Sequence, residues 1–457
     1  MSSIKTIVRK YQIKMNREKK IKLRKELNAD ALFRSLRSGF ADIRDHRNGN
    51  ATIPLTDALM SGFAVFSLKD PSLLAFDQRR QRCSYNLMTV YGINKIPCDT
   101  SLRKILDDLD PGDLRPMFKN VFQKLQRGKA LEKMVFMDGC YLLNLDGTEY
   151  FSSAKRHSPI CMKRVNAKTG KVSSYYLQML GAAIVHPDYK EVIPLCPEPI
   201  RKQDGEKKND CERNAAKRFF EYLRREHPHL PLIVNEDSLS SNAPHIDDLK
   251  KNNLHFILGV KEGDHKFLFD YIDTAVKNGE ATEFVMDDPQ SPDIKHAFRI
   301  INEAPLNKSN QDTLVNFLEY WETNTATGEE QHFCWITDFT ITEENAFQLM
   351  RGGRARWKIE NETFNTLKNQ GYNFSHNYGL GKNNLSTVFV MLMMLAFLID
   401  QALQLCCKLF NAIWKKLESK RALWEGIRSI FRFFEVDSME SLYHAIYYDV
   451  KVQLSEL

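Results

Sequence analysis

The segment Arg354-Ala-Arg-Trp-Lys-Ile-Glu-Asn-Glu-Thr-Phe-Asn-Thr-Leu-Lys368 places acidic and basic side chains at helical spacing. Counted at about 100° per residue, Arg356 lies about 40° to one side of Glu360 and Lys368 about 80° to the other. Glu362, about 160° away, faces elsewhere. An Arg–Glu pair four residues apart is also typical of an ordinary helix salt bridge. A carboxylate between two cations nevertheless suits a site that binds a metal ion together with a phosphate group.

Two apolar runs upstream each end in an aspartate. Val135-Phe-Met is followed by Asp138 and a glycine, and Leu232-Ile-Val-Asn-Glu is followed by Asp237. Glycine lets the chain turn sharply after a strand, and ligand sites in α/β sheets favour the carboxyl ends of strands. We therefore predict that both aspartates stand at strand ends. Taken alone, each aspartate is more simply explained as a surface carboxylate or a helix N-cap.

The combination of Asp138, Asp237 and Glu360 predicts a metal site. Two Mg²⁺ or Mn²⁺ ions about 3.5–4 Å apart activate a water or a 3′-hydroxyl group and stabilise the leaving oxygen of an in-line displacement. Such hard cations prefer oxygen ligands. Three carboxylates from three distant elements, the third beside Arg356 and Lys368, therefore predict divalent-metal phosphoryl transfer on DNA.

The composition is that of an ordinary globular protein with a basic start. The chain has 457 residues, 43% of them hydrophobic and 27% charged, which favours two to four domains. The net charge of +7 is concentrated in the first 26 or so residues, which suggests a polyanionic partner. A solvated tail is the alternative explanation. The basic residues of this segment include Arg17, Lys19, Lys20, Lys22, Arg24 and Lys25.

Cysteine usage and hydropathy predict a cytoplasmic protein. The nine cysteines are odd in number and lack the spacing of a disulfide framework. The basic start is not followed by the apolar core of a secretory signal. The most apolar run, Val388 to Ile399, is too short to span a bilayer, so it predicts a buried core helix.

The periodicity of apolar residues predicts an α/β fold in five parts. Alternating runs at Ala297, Val315 and Gln331 indicate antiparallel strands that interrupt the core between its second and third carboxylate. The predicted parts are a helical basic DNA-binding domain at 1–130, the first part of a mixed-sheet core at 131–261, a β-strand-rich insertion at 262–335, the rest of the core with the Glu360 helix at 336–385, and a helical region at 386–457.

Three motifs carry a resemblance to a known family. Met137-Asp-Gly, Asn235-Glu-Asp and Arg356-Trp-Lys-Ile-Glu resemble the acidic motifs of the DDE transposases of bacterial insertion sequences, most closely the insertion-sequence-four group. The resemblance covers most of the chain. It implies an RNase H-like catalytic domain with a β-rich insertion before the third acid. Further segments that resemble the family are Asp204-Gly-Glu, Asn361 to Lys368 and Gly371 to Gly379.

The resemblance also implies the site and the reaction. Asp138, Asp237 and Glu360 would be the catalytic triad that holds two Mg²⁺ or Mn²⁺ ions. The protein would bind the terminal inverted repeats of its element, cleave there and join the 3′-hydroxyl to target DNA. Two element ends must meet, which implies a homodimer, and the helices after residue 386 are candidates for that contact.

The chain departs from the family pattern around Glu360. Where the family has a tyrosine seven residues before the glutamate, this chain has Gly353. Where the family has a lysine seven residues after it, this chain has Leu367, and Lys368 follows one position later. Glu236 differs from the small residue usual beside the second acid, and strand alternation predicts that it points away from the site.

Three further residue groups are candidates for DNA or metal contacts. Trp321 lies in the insertion, where related transposases stack a tryptophan on a flipped base, although a strand tryptophan is more often core. His376 lies in a polar turn that either contacts the DNA backbone or is only a turn. His157 and Cys161, with Cys140 upstream, form one loose pair rather than the tight pairs of a zinc site, so ordinary packing is favoured.

Two other functions fit the same features. A regulator derived from a transposase would bind DNA without cleaving it, and the departures at Gly353 and Leu367 leave room for it. A stand-alone nuclease with the same fold would cleave without specificity for element ends.

Overall fold

The structure, a computed structural model, describes residues 21–450 apart from residues 48, 203–208 and 289. The fold is mixed α/β, with a twelve-stranded mixed sheet and helices at both ends of the chain. The Asp204-Gly-Glu motif and the basic residues Arg17, Lys19 and Lys20 lie outside the described residues.

Within the described residues, six α-helices precede the sheet, and the sequence predicts a helical region there. Two of them begin at side-chain N-caps, because Asn28 and Ser72 accept hydrogen bonds from the N–H groups of Ala31 and Ala75. The helices are α1 (Ala29–Ala41), α2 (Leu55–Ser67), α3 (Leu73–Arg82), α4 (Ser84–Tyr91), α5 (Asp99–Asp107) and α6 (Arg115–Arg127).

Four helices close the described chain and pack into the same body as the first six. The helix Leu385–Cys406 is long and apolar enough to cross a membrane, but 94% of its most apolar window is buried inside the protein. It packs against α2, α5 and α6, which confirms the predicted core helix and leaves it without an apolar face for a partner. The four helices are α12 (Leu385–Cys406), α13 (Lys408–Leu417), α14 (Lys420–Phe433) and α15 (Met439–Tyr447).

The sheet joins antiparallel and parallel strands in the order β3-β4-β2-β7-β8-β12-β11-β10-β9. β2 is antiparallel to β4 and parallel to β7, and β7 is parallel to β8. The strands are β1 (Val135–Met137), β2 (Cys140–Ser153), β3 (Met162–Val165), β4 (Val172–Val185), β5 (Ile193–Pro194), β6 (Glu198–Ile200), β7 (Leu232–Glu236), β8 (His255–Gly259), β9 (Thr282–Asp287), β10 (Ile294–Asn307), β11 (Asn310–Asn324) and β12 (Glu330–Thr337).

The strand-rich insertion continues the core sheet rather than forming a separate layer. The predicted antiparallel strands are confirmed as β10, β11 and β12, and β12 pairs with β8 through Trp335 and Gly259. Three helices accompany the strands of the core and the insertion. They are α7 (Glu212–Glu226), α8 (Ala243–Lys251) and α9 (Lys266–Lys277).

The spacing of residues 354–368 predicts one continuous α-helix, but the segment that carries Glu360 is broken. α10 (Glu343–Arg354) ends in a turn at residues 355 and 356. The helix then resumes, passes through a π-helical turn at Ile359–Phe364 and ends in the short α11 (Asn365–Asn369). A π-turn has i→i+5 hydrogen bonds and holds one more residue than an α-turn, so α-helical angles do not apply across this segment.

Candidate active site

Asp146, rather than Asp138, lies level with Asp237. Asn144 of β2 and Asn235 of β7 are partners in the parallel pair, so Asp146 and Asp237 each follow that partner pair by two residues. Residues two apart in a strand point to the same face of the sheet. The two carboxylates therefore stand side by side at one edge of the sheet.

The structure corrects the predicted position of Asp138. Asp138 and Gly139 have φ values of 49° and 76° and form the turn between β1 and β2, two antiparallel strands. A turn with positive φ at both central residues is the favoured two-residue hairpin connection. The carboxyl end of β1 therefore meets the amino end of β2, whereas Asp237 follows the carboxyl end of β7.

Two observations place Asp138 away from the other acids. The strand from Cys140 to Asp146 spans six residues, or about 20 Å at the rise of a β-strand. Asp138 and Asp338 both raise the pKa of the Cys140 thiol, after its burial, and Asp338 binds His255 at the amino end of β8. Asp138 thus belongs to the opposite edge of the sheet, and the predicted triad does not form.

Asn144 and Asn235 hold the end of α10 over the sheet. The Asn144 side-chain amide donates to the carbonyls of Ala355 and Arg356 at 2.7 and 3.1 Å, and that of Asn235 donates to the carbonyl of Gly352 at 2.8 Å. The same three carbonyls also accept backbone N–H bonds, from Ala355, Lys358 and Ile359. The asparagine amides therefore supply a second donor and fix the break in the helix above the two aspartates.

The break brings Arg356 and Glu360 to the site. The Arg356 guanidinium lies 4.0 Å from the Asp146 carboxylate, and Glu360 is close enough to raise the pKa of Asp146. Gly181 faces Asp146 across the β2–β4 pair, and a Cβ atom there would lie 2.8 Å from the ring of Phe364. The missing side chain allows the π-turn to approach the sheet closely.

The electrostatics identify a crowded acidic site. Burial, together with Asp237 and Glu360, raises the pKa of the Asp146 carboxyl to about 6, while Arg356 and the N–H of Gly147 oppose the rise. Carboxylates that share a site resist ionising together. Three acids from three separate elements are therefore in electrostatic contact here.

Glu212, at the start of α7, is a fourth acid near the site that the sequence does not reveal. Its carboxylate lies where a side chain at Gly147 would be, so the glycine is needed for this approach. Desolvation of the carboxyl group, followed by Asp146 and Asp237, raises the pKa of Glu212. Glu236, by contrast, points towards α8 and binds His245 at 2.6 Å, which confirms that it turns away from the site.

The two departures from the family pattern have structural counterparts. The indole of Trp335 packs directly against Gly353, so an aromatic ring lies beside the position of the missing tyrosine. Lys368 is exposed and follows Glu360 by eight residues. The π-turn takes up one extra residue. The eighth residue after Glu360, which is Lys368, therefore lies roughly where the seventh would lie in a regular α-helix.

A cleft of about 660 Å³ extends from Asp237 and Arg356 to the insertion. Trp357 lines it and is 51% exposed, with the Arg356 guanidinium 5.3 Å from its ring. Trp321 is less available, because it is half-buried and stacks on His332 at 5.0 Å. Trp357 therefore has the exposed aromatic face that the base-stacking role predicted for Trp321 requires.

The remaining candidates lie apart from this cleft. His376 is exposed and packs edge-on against Tyr378, in a small cavity beside α12. His157 stacks on Tyr175, and the Cys161 sulfur accepts from the N–H of Ser158. Cys140 lies at the far end of β2. The structure does not bring His157, Cys161 and Cys140 together.

No protein-family model matches this sequence, and no curated protein matches it. The assignment of the site therefore depends on its own geometry.

Proposed function

We propose that the protein is a DDE transposase whose catalytic acids are Asp146, Asp237 and Glu360. The observation that carries the proposal is the convergence of these three acids, from two parallel strands and a helix break. Burial, with smaller contributions from Asp237 and Glu360, raises the pKa of Asp146 to about 6. In this proposal the antiparallel β3, β4 and β2, followed by the parallel β7 and β8, form an RNase H-like core.

The donor set fits two Mg²⁺ or Mn²⁺ ions. The triad offers only carboxylate oxygens, which hard divalent cations prefer to nitrogen or sulfur. Within the described residues, no ion pair or hydrogen bond uses the Glu360 carboxylate. When bound, the ions would activate the attacking oxygen and stabilise the leaving one. Asp146, Asp237 and Glu360 would hold them.

The other residues of the cleft would bind and orient DNA. The Arg356 guanidinium presents several donors to a phosphate group, and its position beside Asp146 would set the scissile phosphate against the acids. The exposed face of Trp357 would stack on an unpaired base. Asn144 and Asn235 would fix these contacts by holding the helix break.

A basic groove between α3 and α14 supports DNA binding by the helical body. Arg79, Arg82, Arg428 and Arg432 line a cavity of about 200 Å³ there. Arg79 is neutralised by three hydrogen bonds to Asp70, but Arg82 and Arg432 are exposed. Exposed arginines around a groove bind phosphates in a salt-dependent manner.

A strand-transfer assay tests the proposal. Purified full-length protein would be incubated with Mg²⁺, a target plasmid and labelled duplexes taken from the DNA on either side of its reading frame. We expect cleavage at one position near each end and joining of the 3′-hydroxyl to the plasmid, both abolished by chelator. Cleavage of every duplex alike would favour the nuclease, and end-specific binding without cleavage would favour the regulator.

A further inference from the structure

The insertion contains a cluster of three metal-ligand side chains outside the acidic site. Glu319 of β11 pairs with Cys334 of β12, and His332 lies two residues before Cys334 on the same face. The His332 Nε2 atom lies 2.8 Å from Glu319 Oε1 and 3.4 Å from Cys334 Sγ, and the sulfur lies 3.9 Å from the same carboxylate oxygen. Within the part of the chain that the structure describes, this is the one group of three such ligands that converges so closely.

The S···N distance matches that of a tetrahedral zinc ion, and the other two distances lie close to it. Zinc binds sulfur at about 2.3 Å and nitrogen or oxygen at about 2.0–2.2 Å. At a tetrahedral angle these bond lengths separate two ligand atoms by about 3.3–3.6 Å. The N···O pair is shorter than this by about half an ångström and the S···O pair longer by about 0.3 Å, so small side-chain rotations would complete the geometry.

The surroundings orient each ligand. Arg299 donates to Glu319 Oε2 at 2.9 Å, which leaves Oε1 turned towards the histidine, and Glu283 balances the arginine charge with a 2.6 Å bond. Trp321 stacks on the His332 ring and fixes its plane. Outer-shell partners of this kind hold ligands in place and tune a metal site.

We propose that Glu319, His332 and Cys334 form a site for a thiophilic divalent cation, with Zn²⁺ as its ligand. The thiol would release its proton to solvent on binding, because the thiolate is the ligand. All three residues line the cleft that reaches Asp237 and Arg356. The fourth position would therefore be taken by water or by a donor that enters the cleft. The site is independent of the proposed Mg²⁺ site and does not rest on the proposed function.

Zinc titration of the chelator-treated full-length protein, against a chromogenic competitor, tests the proposal. We expect one tight Zn²⁺ site that excess Mg²⁺ does not displace. Co²⁺ in its place should give the absorption of four-coordinate cobalt with a sulfur-to-cobalt charge-transfer band. Both Cys334→Ser and His332→Gln should weaken Zn²⁺ binding by more than the roughly 10- to 100-fold that loss of an outer-shell partner causes. His332 is 47% exposed in its side chain, so its replacement should leave the fold intact.

Two matched controls separate this site from adventitious binding. His255 is also a half-exposed histidine that binds a carboxylate, Asp338 at 2.7 Å, and stacks on an aromatic ring. Within the described residues, however, His255 belongs to no close group of three metal ligands. Cys211 is an exposed free thiol. His255→Gln and Cys211→Ser should both retain the tight site. Equal Zn²⁺ affinity of the wild type and Cys334→Ser, loss of binding in either control, or a cobalt spectrum without the sulfur band would each overturn the proposal.

Discussion

The guanidinium of Arg356 lies 4.0 Å from the carboxylate of Asp146, and this pair joins the helix break to the central strand. Arg356 belongs to the turn after α10, and Asp146 lies inside β2. The contact exists because Asn144, two residues before Asp146, binds the carbonyls of Ala355 and Arg356. The strand, the Asn144 amide and the Arg356 guanidinium therefore position one another within the protein itself.

Separate substitution of Asp146 and Asp138, the two candidates for the first acid of the triad, distinguishes their roles. Asp146→Asn should abolish Mg²⁺-dependent cleavage, because it removes a ligand that stands beside Asp237 and Glu360. Asp138→Asn should cleave at close to the wild-type rate, because Asp138 lies at the other edge of the sheet. Initial cleavage rates on the same duplex measure both variants. The reverse result would restore Asp138 to the triad.

Asp146→Asn should also stabilise the metal-free protein in a pH-dependent manner. The folded-state pKa of Asp146, about 6, is above its ordinary value of 3.8, so wild-type stability falls as pH rises between these values. Removal of the charge should add on the order of 2 kcal/mol to the unfolding free energy above pH 6 and nothing below pH 3.8. Urea unfolding with chelator, at several pH values, measures the difference. A gain that is equal at every pH would contradict the assignment.

Removal of the amide that holds the helix break should reduce both stability and activity. Asn144→Ala removes the side-chain donor to the carbonyls of Ala355 and Arg356, which keep only their backbone partners. Each hydrogen bond lost costs about 0.5–1.5 kcal/mol. Cleavage should fall as Arg356 loses its position, while the protein remains folded. Denaturant unfolding and cleavage rates would be compared with those of Asn209→Ala. This control removes an exposed side-chain amide that donates to the Lys163 carbonyl in β3. A change no larger than in that control would mean that the amide does not position the helix.

Two glycines on opposite faces of the sheet offer a matched pair. Gly181→Ala would place its Cβ atom 2.8 Å from the ring of the buried Phe364, so the π-turn with Glu360 must move. Overpacking of this kind costs about 1–3 kcal/mol, and cleavage should fall with it. At Gly147 the added atom meets only the flexible end of Glu212. Gly147→Ala should therefore displace Glu212 with little loss of stability. Thermal unfolding of the two variants would reveal the ranking, and equal losses would count against it.

Trp357 of the cleft and Trp321 of the insertion should respond differently to truncation. Trp357→Ala removes an exposed ring and should weaken binding of single-stranded or unpaired DNA by about 1–3 kcal/mol per stacked base. Trp321→Ala removes the stacking partner of His332 and should mainly lower stability. Fluorescence anisotropy with a short oligonucleotide and thermal unfolding distinguish the effects. Stronger DNA loss in the Trp321 variant would return the stacking role to the insertion.

Elements with an uninterrupted pattern could be predicted from the sequence. The apolar run at Val388 gives α12, and the alternating runs of the insertion give β10, β11 and β12. Asp237 could be located because it directly follows a wholly buried strand. These predictions succeed because one local pattern determines the element.

Asp146 could not be found in this way, because β2 does not alternate where the site lies. Asn144, Asp146 and Gly147 interrupt its apolar residues. Asn144 binds the end of α10, Asp146 belongs to the acidic site, and Gly147 leaves room for Glu212, so none of these positions can be apolar. The neighbouring run Val135–Met137 ends in aspartate and glycine and so imitates a core strand, although it is one arm of a hairpin. Only the pairing of β2 with β7 shows which aspartate is level with Asp237.

The burial of α12 among the first helices has a consequence for synthesis of the chain. An all-apolar helix is stable only when other elements cover every side of it, and here α2, α5 and α6 supply part of that cover. Conversely, those helices expose apolar surface until residues 385–406 have left the ribosome. We expect the amino-terminal helices to remain incompletely folded, and to bind DNA poorly, until translation is nearly complete. A nascent or truncated chain that lacks α12 would therefore be unable to complete its amino-terminal helical body.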